Sequence, residues 1–206
     1  MTGPRSNKAW LRRHVTDSYV RRAREAGYRS RAAYKLMEID DREHVFRKGD
    51  RVIDLGAAPG SWSQLAVQRV GPTGRVIAVD LLPIAPISKV GVLQGDFRNS
   101  ELRNQVLEMA AGRVDVVLSD LAPNVSGIPL VDQARISELV ELASDFSAAI
   151  LSENGVFVTK VFHGEAYDDL VKSLQGRFGQ LVVRKPGASR GESRETYLVC
   201  RRPKKA

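Results

Sequence analysis

From about residue 50 onward the chain alternates short β-branched, apolar runs with segments of helical periodicity, and few folds admit that alternation. A strand, a helix and a further strand repeated in series predict an α/β architecture, a parallel sheet covered by helices on both faces. Buried strands are expected at 51–55, 75–80, 90–94, 114–118 and 155–161, with helices at 62–70, 100–111, 131–151 and 167–174. In the second of these helices Leu102, Val106, Leu107 and Met109 are read as the face turned to the core.

The pattern changes near the end. The runs 178–184 and 196–201 are strand-like, but the segment between them, Lys185-Pro186-Gly187-Ala188-Ser189-Arg190-Gly191-Glu192, is too short and too rich in Gly and Pro for a crossover helix. These two strands are therefore expected to form an antiparallel hairpin, completing a mostly parallel seven-stranded sheet. Among doubly wound folds this suits the Rossmann-like class I methyltransferase variant better than the dehydrogenase variant. Residues 1–30 read as a basic helical extension, with Tyr19, Val20, Ala23 and Ala26 as packing positions, and 31–206 as the catalytic domain.

Charge is unevenly distributed. Residues 1–50 hold 13 Lys/Arg against 7 Asp/Glu, residues 184–206 hold 8 against 2, and the stretch between holds 11 against 15, giving +6, −4 and +6. Two basic ends around an acidic middle point to a polyanionic partner contacting the ends. One cysteine, Cys200, cannot form an internal disulfide, and no Cys/His cluster has metal-site spacing, so no metal is expected. No leader pattern and no apolar run of about 20 residues is present, which suggests a cytoplasmic location.

Ligands in an open α/β sheet bind at the carboxyl ends of the strands. There the first strand runs into Asp54-Leu55-Gly56-Ala57-Ala58-Pro59-Gly60-Ser61-Trp62, a small-residue turn feeding a helix. It has neither G-x-G-x-x-G spacing nor a Lys-Ser/Thr pair, so pyrophosphate binding is poorly supported. The next strands end in Asp80, in Asp96 followed by Phe97, and in Asp120. Four aspartates at four strand ends make an acidic pocket, suited to a ligand bearing a sulfonium, an amino group and a ribose diol. S-adenosylmethionine has all three, and Asp96 with Phe97 is placed to bracket its purine.

Two lysines stand out by position: Lys160 ends an apolar strand, and Lys35 lies in a helix ahead of the first strand. The stretches Ser30-Arg31-Ala32 through Lys35 to Ile39, Asp54 to Gln64, Ser119-Asp120-Leu121-Ala122-Pro123-Asn124, Val158-Thr159-Lys160-Val161-Phe162, and Arg184-Lys185-Pro186 with Ser193-Arg194-Glu195 closely resemble the FtsJ/RrmJ ribosomal RNA 2′-O-methyltransferases. The resemblance runs from about Trp10 to the last strand. It implies a Lys-Asp-Lys-Glu tetrad at Lys35, Asp120, Lys160 and Glu195, and cofactor contacts at Gly60, Trp62, Asp80, Asp96 and Asp120. Ser61 departs from the second glycine that relatives often carry after Pro-Gly. The implied substrate is a uridine of 23S ribosomal RNA, in the A-loop of the large ribosomal subunit, and the implied state is a monomer.

A hydroxyl is a poor nucleophile, so methyl transfer to it needs a base to take its proton, and Lys160 is assigned that role. An exposed lysine, with a pKa of about 10.4, is protonated at neutral pH. Burial, the Lys35 charge and a sulfonium favour the neutral amine, whereas Asp120 and Glu195 oppose it while orienting it. Arg12, Arg13, Arg21, Arg22, Arg24, Arg29, Arg31, Arg184, Lys185, Arg190 and Arg194 are candidate phosphate contacts. Two competing readings are a small-molecule methyltransferase, which has no need of basic ends, and a silent RNA-binding assembly factor, against which an intact tetrad argues.

Overall fold

Seven strands form one sheet: β1 (Arg51–Leu55), β2 (Arg75–Asp80), β3 (Val90–Gln94), β4 (Val114–Ser119), β5 (Leu151–Phe162), β6 (Phe178–Arg184) and β7 (Glu195–Pro203). They lie in the order β3-β2-β1-β4-β5-β7-β6 in a computed structural model that describes residues 17–123, 126–191 and 193–204. The pairs among β1 to β5 are parallel, and β7 runs antiparallel between β5 and β6. The expected hairpin is therefore present, with its second strand seated inside the sheet. The chain leaves β1 toward β3 and returns to the other side at β4, so the order reverses between β1 and β4, where a ligand crevice belongs.

The helices are α1 (Ser18–Glu25), α2 (Ala32–Glu43), α3 (Ser61–Val70), α4 (Ser100–Ala110), α5 (Pro129–Ile150) and α6 (Tyr167–Arg177). Successive strand residues point to opposite faces, and the core divides accordingly. Ile53 and Leu55 of β1 and Phe157 and Val161 of β5 pack with Val106, Val140 and Leu170 of α4, α5 and α6. Val52 and Val158 pack on the other face with Leu36 of α2 and Leu65 of α3. Strands buried on both faces have no polar side to show, hence the continuous apolar runs. Asp17 caps α1 by accepting from the Tyr19 N–H at 3.0 Å, and Asn99 caps α4 by accepting from the Glu101 N–H at 2.8 Å.

Several expectations are corrected. The buried stripe of α4 is Leu102, Val106 and Ala110, four residues apart, while Leu107 and Met109 are 38% and 40% exposed. In α1, Val20 and Ala23 are buried and Tyr19 partly so, but Ala26 lies exposed at the C-cap. β5 begins at Leu151 instead of near 155, with a register shift against β4 between Val114 and Val116. No helix among the described residues is long and apolar enough to cross a membrane.

Candidate active site

At the switch point lies a cleft of about 580 Å³. Of the expected cofactor contacts, Gly56, Asp80, Asp96, Phe97 and Asp120 line it. Gly56 holds φ at 76°, and a Cβ built there would stand 2.8 Å from the Leu121 nitrogen, so only glycine lets this turn lie against the end of β4. Asp80 accepts from the Ala58 N–H at 2.9 Å and the Leu82 N–H at 2.8 Å, tying together the turns after β1 and β2. Asp96 is held by Arg98, whose Nη2 donates at 2.7 Å; these hydrogen bonds hold the Asp96 carboxyl below its usual range.

Asp54, Gly60 and Trp62 do not line the cleft. Asp54 is fully buried behind it and accepts from Ser63 Oγ at 2.6 Å, so three of the four strand-end aspartates, and not all four, face the cleft. Gly60 opens α3 at φ 109°, where a Cβ would meet Ile87 Cδ1 at 2.6 Å and Arg29 Nη1 at 2.9 Å. Trp62 packs on Tyr197 at 5.7 Å and donates its indole N–H to the Ala32 carbonyl at 2.8 Å, joining α3 to the helix that carries Lys35. Phe97 lines the cleft with little of its surface, being 3% exposed with its ring edge-on to Phe146 at 5.2 Å, so most of the side chain belongs to the core. Arg98, Arg135 and Glu138 also line the cleft and were not foreseen. Arg98, next but one to Asp96, had a local signal as its counter-charge; the α5 residues had none.

Burial pushes the Asp54 carboxyl up to about 7, opposed by its Ser63 hydrogen bond and reinforced by the Asp120 and Asp80 charges. In the unfolded chain this group ionises near 3.8, so between that pH and about 7 the folded state holds the proton more firmly. Stability contributed by the protonated group is present at the acid side of that window and is lost as pH rises through it. Asp54→Asn is expected to flatten this fall, changing the relative stability of the two proteins by a few kcal/mol, on the order of 1.4 per pH unit. Urea denaturation at pH 4.5 and 7.5 checks it; parallel profiles for the two proteins would refute the assignment.

The four tetrad positions come together. Lys160 Nζ lies 2.8 Å from Asp120 Oδ1 and donates to the Asp120 carbonyl at 3.2 Å. Lys35 Nζ lies 2.5 Å from Glu195 Oε1. Each comes from a different element: Lys160 faces Tyr197 across the β5–β7 ladder, Glu195 faces Phe162 there, Asp120 follows β4 and Lys35 is on α2. Lys160 and Glu195 are each 8% exposed. Burial opposes a charge on Glu195, but the Lys35 ammonium beside it prevails and holds its carboxyl below the usual range.

A second cavity, about 470 Å³, is lined by Ser30, Arg31, Lys35, Arg190, Ser193 and Glu195. Asp120 thus borders the first cavity and the Lys35–Glu195 pair the second, with the Lys160 amine held against Asp120.

Some of the candidate phosphate contacts are engaged elsewhere. Arg29 donates to the Pro59, Ala85 and Pro86 carbonyls at 2.7 to 2.8 Å, Arg31 pairs with Asp17 and donates to the Ala188 carbonyl, and Arg184 pairs with Glu43. Arg22 lies over the Tyr34 ring at 4.6 Å. Arg21, Arg24, Lys185, Arg190 and Arg194 are exposed, and Arg12 and Arg13 lie outside the described residues. α1, which carries Arg21 and Arg24, packs through Ala23 against Tyr34 and Ala188, beside the second cavity.

This strand order, with a carboxylate-lined cleft at its switch point, defines a class I S-adenosylmethionine-dependent methyltransferase. The chain belongs to the FtsJ-like methyltransferase family, whose model matches residues 28–203. It is 52% identical over 205 residues to the ribosomal RNA large subunit methyltransferase E of Thiobacillus denitrificans, covering 98% of this chain and 92% of that one. The protein of the same name from Marinobacter nauticus is 48% identical, covering 98% of each. Among solved structures, one described as a ribosomal RNA methyltransferase from Plasmodium falciparum superposes with a TM-score of 0.76 at 28% identity, covering 85% of this chain and 98% of that one. Aeropyrum pernix fibrillarin with bound S-adenosyl-L-methionine shares the fold, with a TM-score of 0.57 at 18% identity over 82% of this chain and 73% of that one.

Proposed function

We propose that this protein methylates the ribose 2′-hydroxyl of a uridine in large-subunit (23S) ribosomal RNA, in the A-loop of the assembled subunit, with Lys160 as general base. The observation that carries this reading is the Lys160 amine, nearly buried and 2.8 Å from Asp120, which itself lies on the wall of the acidic cleft. The donor set fits S-adenosylmethionine: Asp80, Asp96 and Asp120 suit its ribose hydroxyls, amino group and sulfonium. When bound, it supplies a methyl group already activated by the positive sulfur.

The chain's own groups then act on the acceptor. Lys160 takes the hydroxyl proton as the oxygen attacks, and Asp120 aligns the amine through its carboxylate and its carbonyl. Glu195 pairs with Lys35 and balances its charge, leaving the Lys160 amine to act in its neutral form, the form that can accept the hydroxyl proton. The exposed arginines near the second cavity hold phosphates, a contribution that weakens steeply with salt.

Mapping 2′-O-methylation in RNA from cells with and without the protein tests the assignment. One large-subunit uridine is expected to lose its mark and to regain it when purified protein and labelled methyl donor are added to the unmethylated subunit. Loss of no mark, with no label incorporated, would leave a binding factor or an enzyme acting on small molecules.

A further inference from the structure

We propose that Glu38 is a positioning residue that holds the acceptor-side wall, residues 187–191 and Ser193, against the helix carrying Lys35. This rests on the RNA-acceptor reading above. Glu38 lies three residues after Lys35 on α2, and neither residue patterning nor the tetrad gives it a role.

Its two carboxylate oxygens are divided between successive backbone donors: the Gly187 N–H reaches Oε2 at 2.6 Å and the Ala188 N–H reaches Oε1 at 3.1 Å. Tyr19 Oη also donates to Oε1, at 3.3 Å. From the start of the same helix, Arg31 donates to the Ala188 carbonyl. One helix thus grips both the donors and the acceptor of a two-residue stretch some 150 positions away in the chain, as the separation of 150 between Glu38 and Ala188 records. Ala188 itself is fully buried against Ala23 and Tyr34.

The gripped stretch continues directly into the cavity wall. The Ser189 N–H donates to the Pro186 carbonyl at 3.0 Å, the Ser193 N–H to the Arg190 carbonyl at 2.9 Å, and Lys185 Nζ to the Ser193 carbonyl at 3.2 Å. These internal bonds connect the gripped stretch to Arg190 and Ser193, both on the second cavity. Glu195 is different. The sheet register opposite Phe162 fixes its backbone independently of Glu38.

That division predicts a split in the kinetics. Removing the clamp should misplace the groups that receive the acceptor while leaving the tetrad and the methyl-donor cleft in place. For Glu38→Ala the expected result is a KM for the unmethylated large subunit raised about tenfold, the scale of losing two charge-assisted hydrogen bonds that orient a binding wall. The kcat should stay within about threefold, and calorimetric affinity for S-adenosylhomocysteine within about twofold, because the sheet holds the Glu195 backbone and no residue of 187–191 lines the methyl-donor cleft.

Hydrogen exchange supplies a readout free of activity: the Gly187 and Ala188 amides should lose protection in the variant. Glu38→Gln, which keeps the side chain's shape but can satisfy only one of the two N–H groups, should lie between wild type and Glu38→Ala in both measures. It also guards against an alanine variant that does not fold. A lowered melting temperature with unchanged KM and unchanged exchange at 187–188 would reduce Glu38 to a structural residue and overturn the proposal. If the wild-type protein itself transferred no methyl to ribosomal RNA, the functional reading would fail, and exchange at these two amides would still decide whether the clamp exists.

Discussion

Lys160→Ala is expected to lower methyl transfer by about a thousandfold or more, the combined scale of proton transfer and of positioning the acceptor, without weakening binding of the methyl donor. The amine lies against Asp120 and does not itself line the first cleft, so its removal leaves the cleft walls intact. Asp120 retains partial access to water, with 24% of its side chain exposed, so its carboxylate can be solvated once the partner is gone. Single-turnover transfer of a labelled methyl group measures the loss, and calorimetry with S-adenosylhomocysteine measures the retained binding. The pH dependence of the same step separates two roles. If Lys160 takes the proton, the rising limb of the wild-type profile disappears in the variant; if the limb persists at reduced amplitude, the amine acts by hydrogen bonding alone and the assignment as base is wrong.

The second large effect concerns a hydrogen atom. Gly56→Ala places a methyl group 2.8 Å from the Leu121 nitrogen and 2.9 Å from the Asp120 carbonyl carbon, in a residue held at φ 76°. Those neighbours are backbone and cannot rotate away. The Gly56 and Ala57 N–H groups are also anchored to the Val79 carbonyl at 2.9 and 3.2 Å, so the turn cannot retreat without breaking bonds on its other side. Strain and overpacking together are expected to cost about 2–4 kcal/mol of stability. Because Asp120 and Leu121 form part of the cleft wall, affinity for S-adenosylhomocysteine should fall by about a hundredfold, corresponding to a displacement costing some 2.7 kcal/mol of binding. Wild-type affinity in a folded Gly56→Ala protein would show that the turn does not shape the cleft.

The elements that could be read from the residues alone are those governed by periodicity. β1, β2 and β3 fall at their expected bounds, because short apolar runs closed off by turn residues mark strands covered by helices. Lys160 was conspicuous as a charge in an otherwise apolar strand. What could not be read is which way a polar group at a strand end turns. Asp54 and Asp80 end neighbouring strands with similar flanks, yet Asp54 is buried with Ser63 while Asp80 binds two backbone N–H groups on the cleft wall. The difference lies in the packing of α3, which no local pattern encodes. Arg29 and Arg31 show the same limit: both donate to backbone carbonyls, and sequence does not separate such a guanidinium from one left wholly for phosphate, although Arg31 also borders the second cavity.

The position of β7 has a consequence for how the molecule is made. The strand inserted between β5 and β6 is the last of the sheet to leave the ribosome, and until it arrives β5 shows an unpaired edge with Phe157 and Val158 along it. Such an edge invites pairing with another chain. The same strand brings Glu195, so Lys35 has no counter-ion while synthesis is under way. A nascent chain is therefore both adhesive and chemically incomplete, and a single closing event cures both conditions at once.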